Sequence, residues 1–296
     1  MVSRLGRFSP KINNAKKLDL QPPLDRIIAS DIVQLRTSQY YFDEPLFDAY
    51  ERTTVPATWD FEAVETIVHD EHRIFDMGCG DGRLLLHLAK KFRLGSSIGI
   101  DISDIAIKRF QSRIPAEKKA FIHARQGDIF NIPSDILSQR FNIITFGDAT
   151  INFILEEDKL EELFCSARKL LFNQDSRVTV AIFDDGTPEQ LAFMDKRCTV
   201  VPFLPPNGRA SLIWWAYKYD AEKLIMHRSV FAQDDWNASG NIEGVVCDLR
   251  DRMWTPSSII PIAKRAGLSV DTIIKSAVQD GVAVGMGTAT VILKPV

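Results

Sequence analysis

Apolar positions along the chain switch between two periods. Short, nearly continuous apolar runs fall at Arg73–Asp76, Ser97–Asp101, Phe121–Gln126, Phe141–Phe146 and Arg177–Phe183. Between them, apolar residues recur every three or four positions over Arg83–Phe92, Ser103–Arg113 and Glu156–Phe172. In the last of these, Leu160, Leu163, Phe164, Ala167 and Leu170 share one face and acids occupy the first turn. Only a short, irregular link precedes Phe141. Runs of this length, bounded by turn residues, predict strands buried on both faces, and the alternation predicts an α/β fold with a doubly wound sheet. Pro256–Ala266 predicts a further helix. Leu268–Ile274 and Val282–Leu293 follow closely enough to predict an antiparallel hairpin at the sheet's edge.

Two regions depart from this rhythm. Residues 24–68 carry apolar positions at helical spacing, namely Leu24, Ile27, Ile28 and Ile32, then Leu46, Phe47 and Tyr50, then Trp59, Phe61, Val64 and Ile67. They predict a helical lead-in interrupted by Tyr40-Tyr41-Phe42-Asp43. Residues 184–255 hold three apolar or alternating segments, Leu212–Tyr219, Lys223–Ala232 and Ile242–Trp254, separated by Asp220-Ala221-Glu222 and Asn237–Gly240. Such a pattern predicts an added antiparallel sheet. Ahead of both, residues 1–23 collect Arg4, Arg7, Lys11, Lys16 and Lys17 with no acid before Asp19, but Pro10 breaks any helix, so a surface arm is expected rather than a targeting helix. The expected organisation is therefore an arm (1–23), a helical lid (24–68), a core (69–183), an inserted sheet (184–255) and a C-terminal helix and strands completing the core (256–296).

The chemistry concentrates in Ile74-Phe75-Asp76-Met77-Gly78-Cys79-Gly80-Asp81-Gly82-Arg83. A strand that delivers a glycine-rich turn to a helix start is how open α/β sheets bind nucleotides. The dinucleotide fingerprint fails here, because Arg83 stands where its third glycine should fall. Asp76 and Asp81 would also oppose a pyrophosphate, whereas a ligand with a cationic end, such as S-adenosylmethionine (SAM), would be welcome. Asp76-x-Gly78-x-Gly80-x-Gly82, then Gly99-Ile100-Asp101-Ile102-Ser103, then Gln126-Gly127-Asp128-Ile129 resemble the first three motifs of class I SAM-dependent methyltransferases. The resemblance implies a Rossmann-like seven-stranded sheet. It implies that Asp76, Gly78, Cys79, Gly80 and Gly82 hold the methionine part, that Asp101 with Ile102 binds the ribose, and that Asp128 with Ile129 caps the adenine. It further implies that Gly147 lines the site and that a lid tyrosine, Tyr40, reaches over the cofactor, with S-adenosylhomocysteine as product. Independently of any family, a carboxylate ending a strand can accept from both hydroxyls of a ribose.

Composition narrows the partners. With 296 residues, 45% of them hydrophobic, and a net charge of −3, the chain supports a large core and lacks the basic excess that nucleic acid demands. Cys79, Cys165, Cys198 and Cys247 form no C-x-x-C pair, which suggests neither a zinc knuckle nor a disulfide framework and fits a reducing cytoplasmic compartment. No apolar run reaches membrane-spanning length and no secretory signal follows the N-terminus. The expected partner is a small-molecule substrate, with no nucleic acid and no membrane; a homodimer through the insertion is a further expectation.

Methyl transfer needs a nucleophile held in line and water excluded; a base is optional for a neutral amine. Two candidates for handling the acceptor stand out. Asp148 lies in the turn Gly147-Asp148-Ala149-Thr150-Ile151-Asn152 at the sheet's carboxyl edge, and His227 shares a strand face with Ile225, Ser229 and Phe231 in the insertion. Both types also serve structure, Asp and Asn by capping turns and a lone histidine by packing. Trp214, Trp215, Tyr217 and Tyr219 could box an ammonium, and Arg250 or Arg252 could pair with a carboxylate, though core and surface roles are commoner. Asp148 with Asp184-Asp185 could hold Mg²⁺ for catechol-type chemistry, but the metal-dependent pattern prefers Asp-Asn, and no metal is expected. The lead-in and inserted sheet resemble N-methyltransferases of amino sugars and related secondary metabolites. The expected activity is transfer to an amine nitrogen, with an O-methyltransferase or an inactive SAM-binding module as alternatives.

Overall fold

The computed structural model describes residues 18–28, 33–37, 46–47, 58–186, 195–203, 211–233, 242–276 and 287–296. In chain order the first elements are α1 (Leu24–Ile28), β1 (Val33–Thr37), α2 (Phe61–Glu65), β2 (Ile74–Met77), α3 (Arg83–Lys91) and β3 (Ser97–Asp101). Then come α4 (Asp104–Arg113), β4 (Ile122–Gln126), α5 (Ser134–Leu137), β5 (Ile143–Phe146), α6 (Glu157–Leu170) and β6 (Arg177–Phe183). The chain continues through β7 (Cys198–Phe203), β8 (Ser211–Asp220), β9 (Ile225–Gln233), β10 (Ile242–Arg252), α7 (Pro256–Arg265), β11 (Leu268–Ser276) and β12 (Thr288–Pro295). Two compact units result, one from Met1–Pro56 with Thr187–Arg252, the other from Ala57–Gly186 with Met253–Val296.

The second unit is organised by a seven-stranded sheet in the order β11-β12-β6-β5-β2-β3-β4. Strands β6 to β4 run parallel, and β12 and β11 close the edge as the expected antiparallel pair. Both faces are covered, which explains why β2 and β5 are buried at every position and read as unbroken apolar runs. On one face Phe75, Ile100, Ile144, Phe146, Val178 and Val180 pack against Leu160, Phe164 and Ala167 of α6 and Ile259 and Ile262 of α7. On the other, Leu84, Leu85 and Leu88 of α3 and Phe110 of α4 form a second core with Phe61 and Val64 of α2. Because β3 and β4 lie to one side of β2 and β5 to the other, the chain reverses direction at the β2–β5 pair, which opens a crevice at their carboxyl ends.

The first unit is a five-stranded sheet in the order β1-β10-β9-β8-β7, antiparallel from β10 to β7. Its three long strands match the predicted segments within three residues at each end. Strand β7 was not anticipated; Pro202 interrupts its apolar run, which an edge position tolerates. The expected helical lead-in is corrected in one place. Val33–Thr37 is a strand, paired parallel to β10 from Val33↔Ile242 to Thr37↔Val246. Alternation in Val33-Gln34-Leu35-Arg36-Thr37 suits that edge better than a helix face. One face of this sheet packs Phe231, Val246 and Ala216 against Leu24 and Ile28 of α1, and the other gathers Ile213, Trp215, Val230 and Val245 around Leu46.

Candidate active site

The glycine turn is a close fit to its surroundings. Gly78 and Cys79 both donate their N–H groups to Ile100 O at 2.9 Å, which binds the end of β2 to β3. Gly78, Gly80 and Gly82 all have positive φ, at 78°, 54° and 84°. At Gly82 the requirement is also steric, because a Cβ would lie 2.1 Å from the Phe110 ring. At Gly80, by contrast, a Cβ would meet nothing within 4 Å, so the backbone there faces open space. Helix α3 begins at Arg83, immediately after the turn.

Asp101, ending β3, stands beside this turn. Its Oδ2 accepts from Gly80 N and its Oδ1 from Ser103 N, each at 2.9 Å. A carboxylate offers about four lone-pair directions, so each oxygen keeps acceptor capacity. Burial pushes the Asp101 carboxyl upward, and the N–H groups of Ser103 and Gly80 counter that shift. Ser103 then caps α4, accepting from Ala106 N at 3.2 Å. Ile102 is 53% exposed next to Asp101. Gly127 N donates to Asp101 O at 2.9 Å, joining the ends of β3 and β4. Asp128, exposed, folds the following turn by accepting from Phe130 N at 2.9 Å, and Ile129 packs against the core.

Neither Asp81 nor Asp76 presents the bare negative charge to the turn that the sequence predicts. Asp81 is ion-paired to Arg113, so it does not face the turn as a bare charge. Asp76 is only 2% exposed and accepts from Thr145 Oγ1 at 2.7 Å. Burial raises its carboxyl to about 7, partly offset by the Thr145 hydrogen bond and the Arg83 charge, so near neutrality it is not a full anion. What disfavours a dinucleotide is therefore the glycine spacing, with Arg83 where the third glycine would fall.

The loop after β5 forms the opposite wall of the crevice. Asp148 and Ala149 both take left-handed backbone, with φ of 44° and 58°, which only a well-fixed loop sustains. The fixing bonds are Ala149 N to Ala181 O at 3.0 Å, Thr150 N to Gly147 O at 3.0 Å and Asp148 N to Asp60 Oδ2 at 3.2 Å. Thr150 Oγ1 adds a bond to Gly147 O at 2.7 Å. Asn152, 3% exposed, donates its backbone N–H to Ala149 O at 2.9 Å and thus helps to close this turn.

Asp60, Arg83 and Thr145 escaped the sequence reading. Asp60 precedes α2 and looks like its N-cap, yet its side chain makes no capping bond. It is fully buried and holds Arg83 through two bonds, at 2.7 and 2.6 Å. The Arg83 guanidinium also lies over the Phe61 ring, 4.7 Å from its centroid. The only legible signal was Trp59-Asp60-Phe61, an acid between two large apolar residues.

The remaining candidates are dispersed. Tyr40 lies outside the described residues. His227 is on β9 in the other unit, where its Nδ1 is 3.7 Å from Asp19 Oδ2 and its neighbour across the pair is Arg250, itself 3.9 Å from the same carboxylate. Arg228 and buried Asp251 form an ion pair at 2.5 Å on the opposite face of that sheet. Asp184 is paired with Lys275 at 2.8 Å, and Asp185 accepts from Ser257 Oγ at 2.5 Å. Among the described residues no group of three or more metal-ligating side chains is gathered, and no helix is long and apolar enough to cross a membrane.

Residues 68–195 match the family model of a methyltransferase domain. No curated protein matches the chain in sequence. Among solved structures, an S-adenosylmethionine-dependent methyltransferase from Clostridium acetobutylicum superposes with a TM-score of 0.62 at 14% identity, covering 83% of this chain and 96% of its own. CalS10, an amino pentose methyltransferase from Micromonospora echinaspora solved with SAM bound, gives 0.59 at 17%, covering 86% and 98%. The sugar N-methyltransferase KedS8 from Streptoalloteichus sp. gives 0.59 at 13%, covering 83% and 92%. The seven-stranded unit thus has the fold of SAM-dependent methyltransferases, and the match to the methyltransferase-domain model falls mostly within it.

Proposed function

We propose that this enzyme transfers a methyl group from SAM to an amine nitrogen of a small molecule. The observation that carries the reading is the placement of Asp101, a strand-end carboxylate braced by Gly80 N–H and Ser103 N–H beside a turn whose Gly80 faces open space. Those residues fit the cofactor: Asp101 accepts from the ribose hydroxyls, and the Gly78–Gly82 backbone approaches the methionine part closely. Asp128, Ile102 and Ile129 border the adenine end, and Gly147 the methionine end. Bound SAM supplies an activated methyl on a sulfonium. The protein's part is to orient and to exclude water. Asp148, in the rigid loop after β5, orients the acceptor nitrogen by accepting a hydrogen bond from it. A neutral amine needs no base, so His227 has no required proton-transfer role. Preference for nitrogen is supported by the amino-sugar enzymes among proteins of the same fold.

Titration of the purified protein with SAM, S-adenosylhomocysteine and NAD, followed by native mass spectrometry, tests the cofactor. Binding of both adenosyl compounds without NAD supports the reading, and binding of NAD alone sinks it. Methyl transfer from labelled SAM to panels of amines, phenols and carboxylates then tests the acceptor; labelling confined to phenols or carboxylates would reject nitrogen.

A further inference from the structure

We infer that Asp60 is a positioning residue for the cofactor site, a single buried carboxylate that ties the glycine turn's helix to the loop after β5. The inference rests on the functional reading above. Asp60 is fully buried, and two other elements converge on it. From α3, the Arg83 guanidinium donates to both oxygens, at 2.7 and 2.6 Å. From the loop after β5, Asp148 N–H donates to Oδ2 at 3.2 Å, and the space beside Gly147 is so tight that a Cβ there would sit 3.1 Å from the same oxygen. Next to Asp60 in sequence, the Phe61 ring lies under the Arg83 guanidinium, 4.7 Å from centroid to its central carbon.

The glycine turn and the loop after β5 also meet directly, where Thr150 Oγ1 donates to Gly78 O at 3.3 Å, and Asp60 adds a second, buried tie between α3 and that loop. Arg83 is the first helical residue after Gly82, so fixing its side chain fixes where the glycine turn ends. Asp148 and Ala149 hold unfavourable left-handed backbone, and the Asp60 carboxylate engages the first of them directly. One bidentate pair of charge-assisted bonds and one backbone bond on one carboxylate brace both sides of the crevice at the β2–β5 switch point. Asp60 need not touch the cofactor; it acts through Arg83, Gly147 and Asp148.

The test is calorimetric binding of S-adenosylhomocysteine to the full chain and to Asp60→Asn, Arg83→Lys and Asp271→Asn, each with a thermal melt. Asp271 pairs with Arg177 at 2.8 Å and Lys294 at 3.0 Å, and Arg177 begins β6, at the end of the strand away from the crevice, so it controls for loss of an ion pair as such. The expected result is a loss of affinity of tenfold or more in Asp60→Asn, measured well below its melting temperature. Arg83→Lys should lie between, because an ammonium keeps the charge but not the fork, and Asp271→Asn should bind like the parent. Affinity within twofold of the parent in folded Asp60→Asn would overturn the inference. Where Asp60→Asn does not fold, parental affinity in Arg83→Lys overturns it equally. A parent that does not bind S-adenosylhomocysteine would instead overturn the functional reading, and with it the role assigned to Asp60.

Discussion

At the scale of single residues, the site joins groups whose chemistry was legible to groups whose burial was not. Asp101 and the three glycines were readable because their spacing follows from the strand–turn–helix geometry they serve. Asp101→Ala should raise the SAM dissociation constant ten- to a hundredfold, about 1.4–2.8 kcal/mol; unchanged affinity in calorimetry would remove Asp101 from the ribose site. Gly82→Ala adds a Cβ at positive φ against the Phe110 ring, and should cost about 2–4 kcal/mol in urea unfolding. Asp76 illustrates what spacing conceals. The motif places an acid there, but only the fold reveals that it is enclosed and bonded to Thr145. Its folded pKa of about 7 lies above the unfolded value of 3.8, so the native state holds the extra proton between those limits. The stability this contributes is fully present below pH 3.8 and is lost as pH rises toward 7, at most about 4 kcal/mol. Asp76→Asn should therefore gain melting temperature relative to the parent on going from pH 5 to pH 8; parallel pH profiles for the two would contradict the assignment.

At the scale of elements, the helices were the easiest to read, because each buries one stripe at fixed spacing. Arg83–Lys91, Asp104–Arg113, Glu157–Leu170 and Pro256–Arg265 depart from expectation by two residues at most. Strand β1 was harder, since five residues with a polar–apolar alternation are ambiguous until a partner edge is known. Asp60 was hidden for a related reason: an acid before a helix is ordinarily a cap, and nothing local announces a partner 23 positions away. The inserted sheet shows the same limit in its buried polar groups. Its alternation was visible, but the pairing of Arg228 with Asp251 requires the register in which Met226 opposes Asp251 and Leu249 opposes Arg228. Asp251→Ala strands a largely buried guanidinium and should destabilise this sheet by about 3–5 kcal/mol, measured by chemical denaturation followed through the Trp214 and Trp215 emission.

At the scale of the whole molecule, the chain is two units that are each discontinuous in sequence. Ligand should stabilise the folded form by mass action, so S-adenosylhomocysteine at a hundredfold over its dissociation constant should add about 2.7 kcal/mol. Hydrogen exchange should slow chiefly at 74–82, 97–103 and 143–150; slowing confined to β8–β10 would move the cofactor site away from the crevice. The order of synthesis adds one more consequence, drawn from strand β1. Its first residue, Val33, pairs with Ile242, so some two hundred residues must leave the ribosome before that strand meets its neighbour. At about 5–20 residues per second, the N-terminal segment waits about 10–40 s with its edge unpaired. During that window residues 33–37 have no strand of their own sheet to pair with.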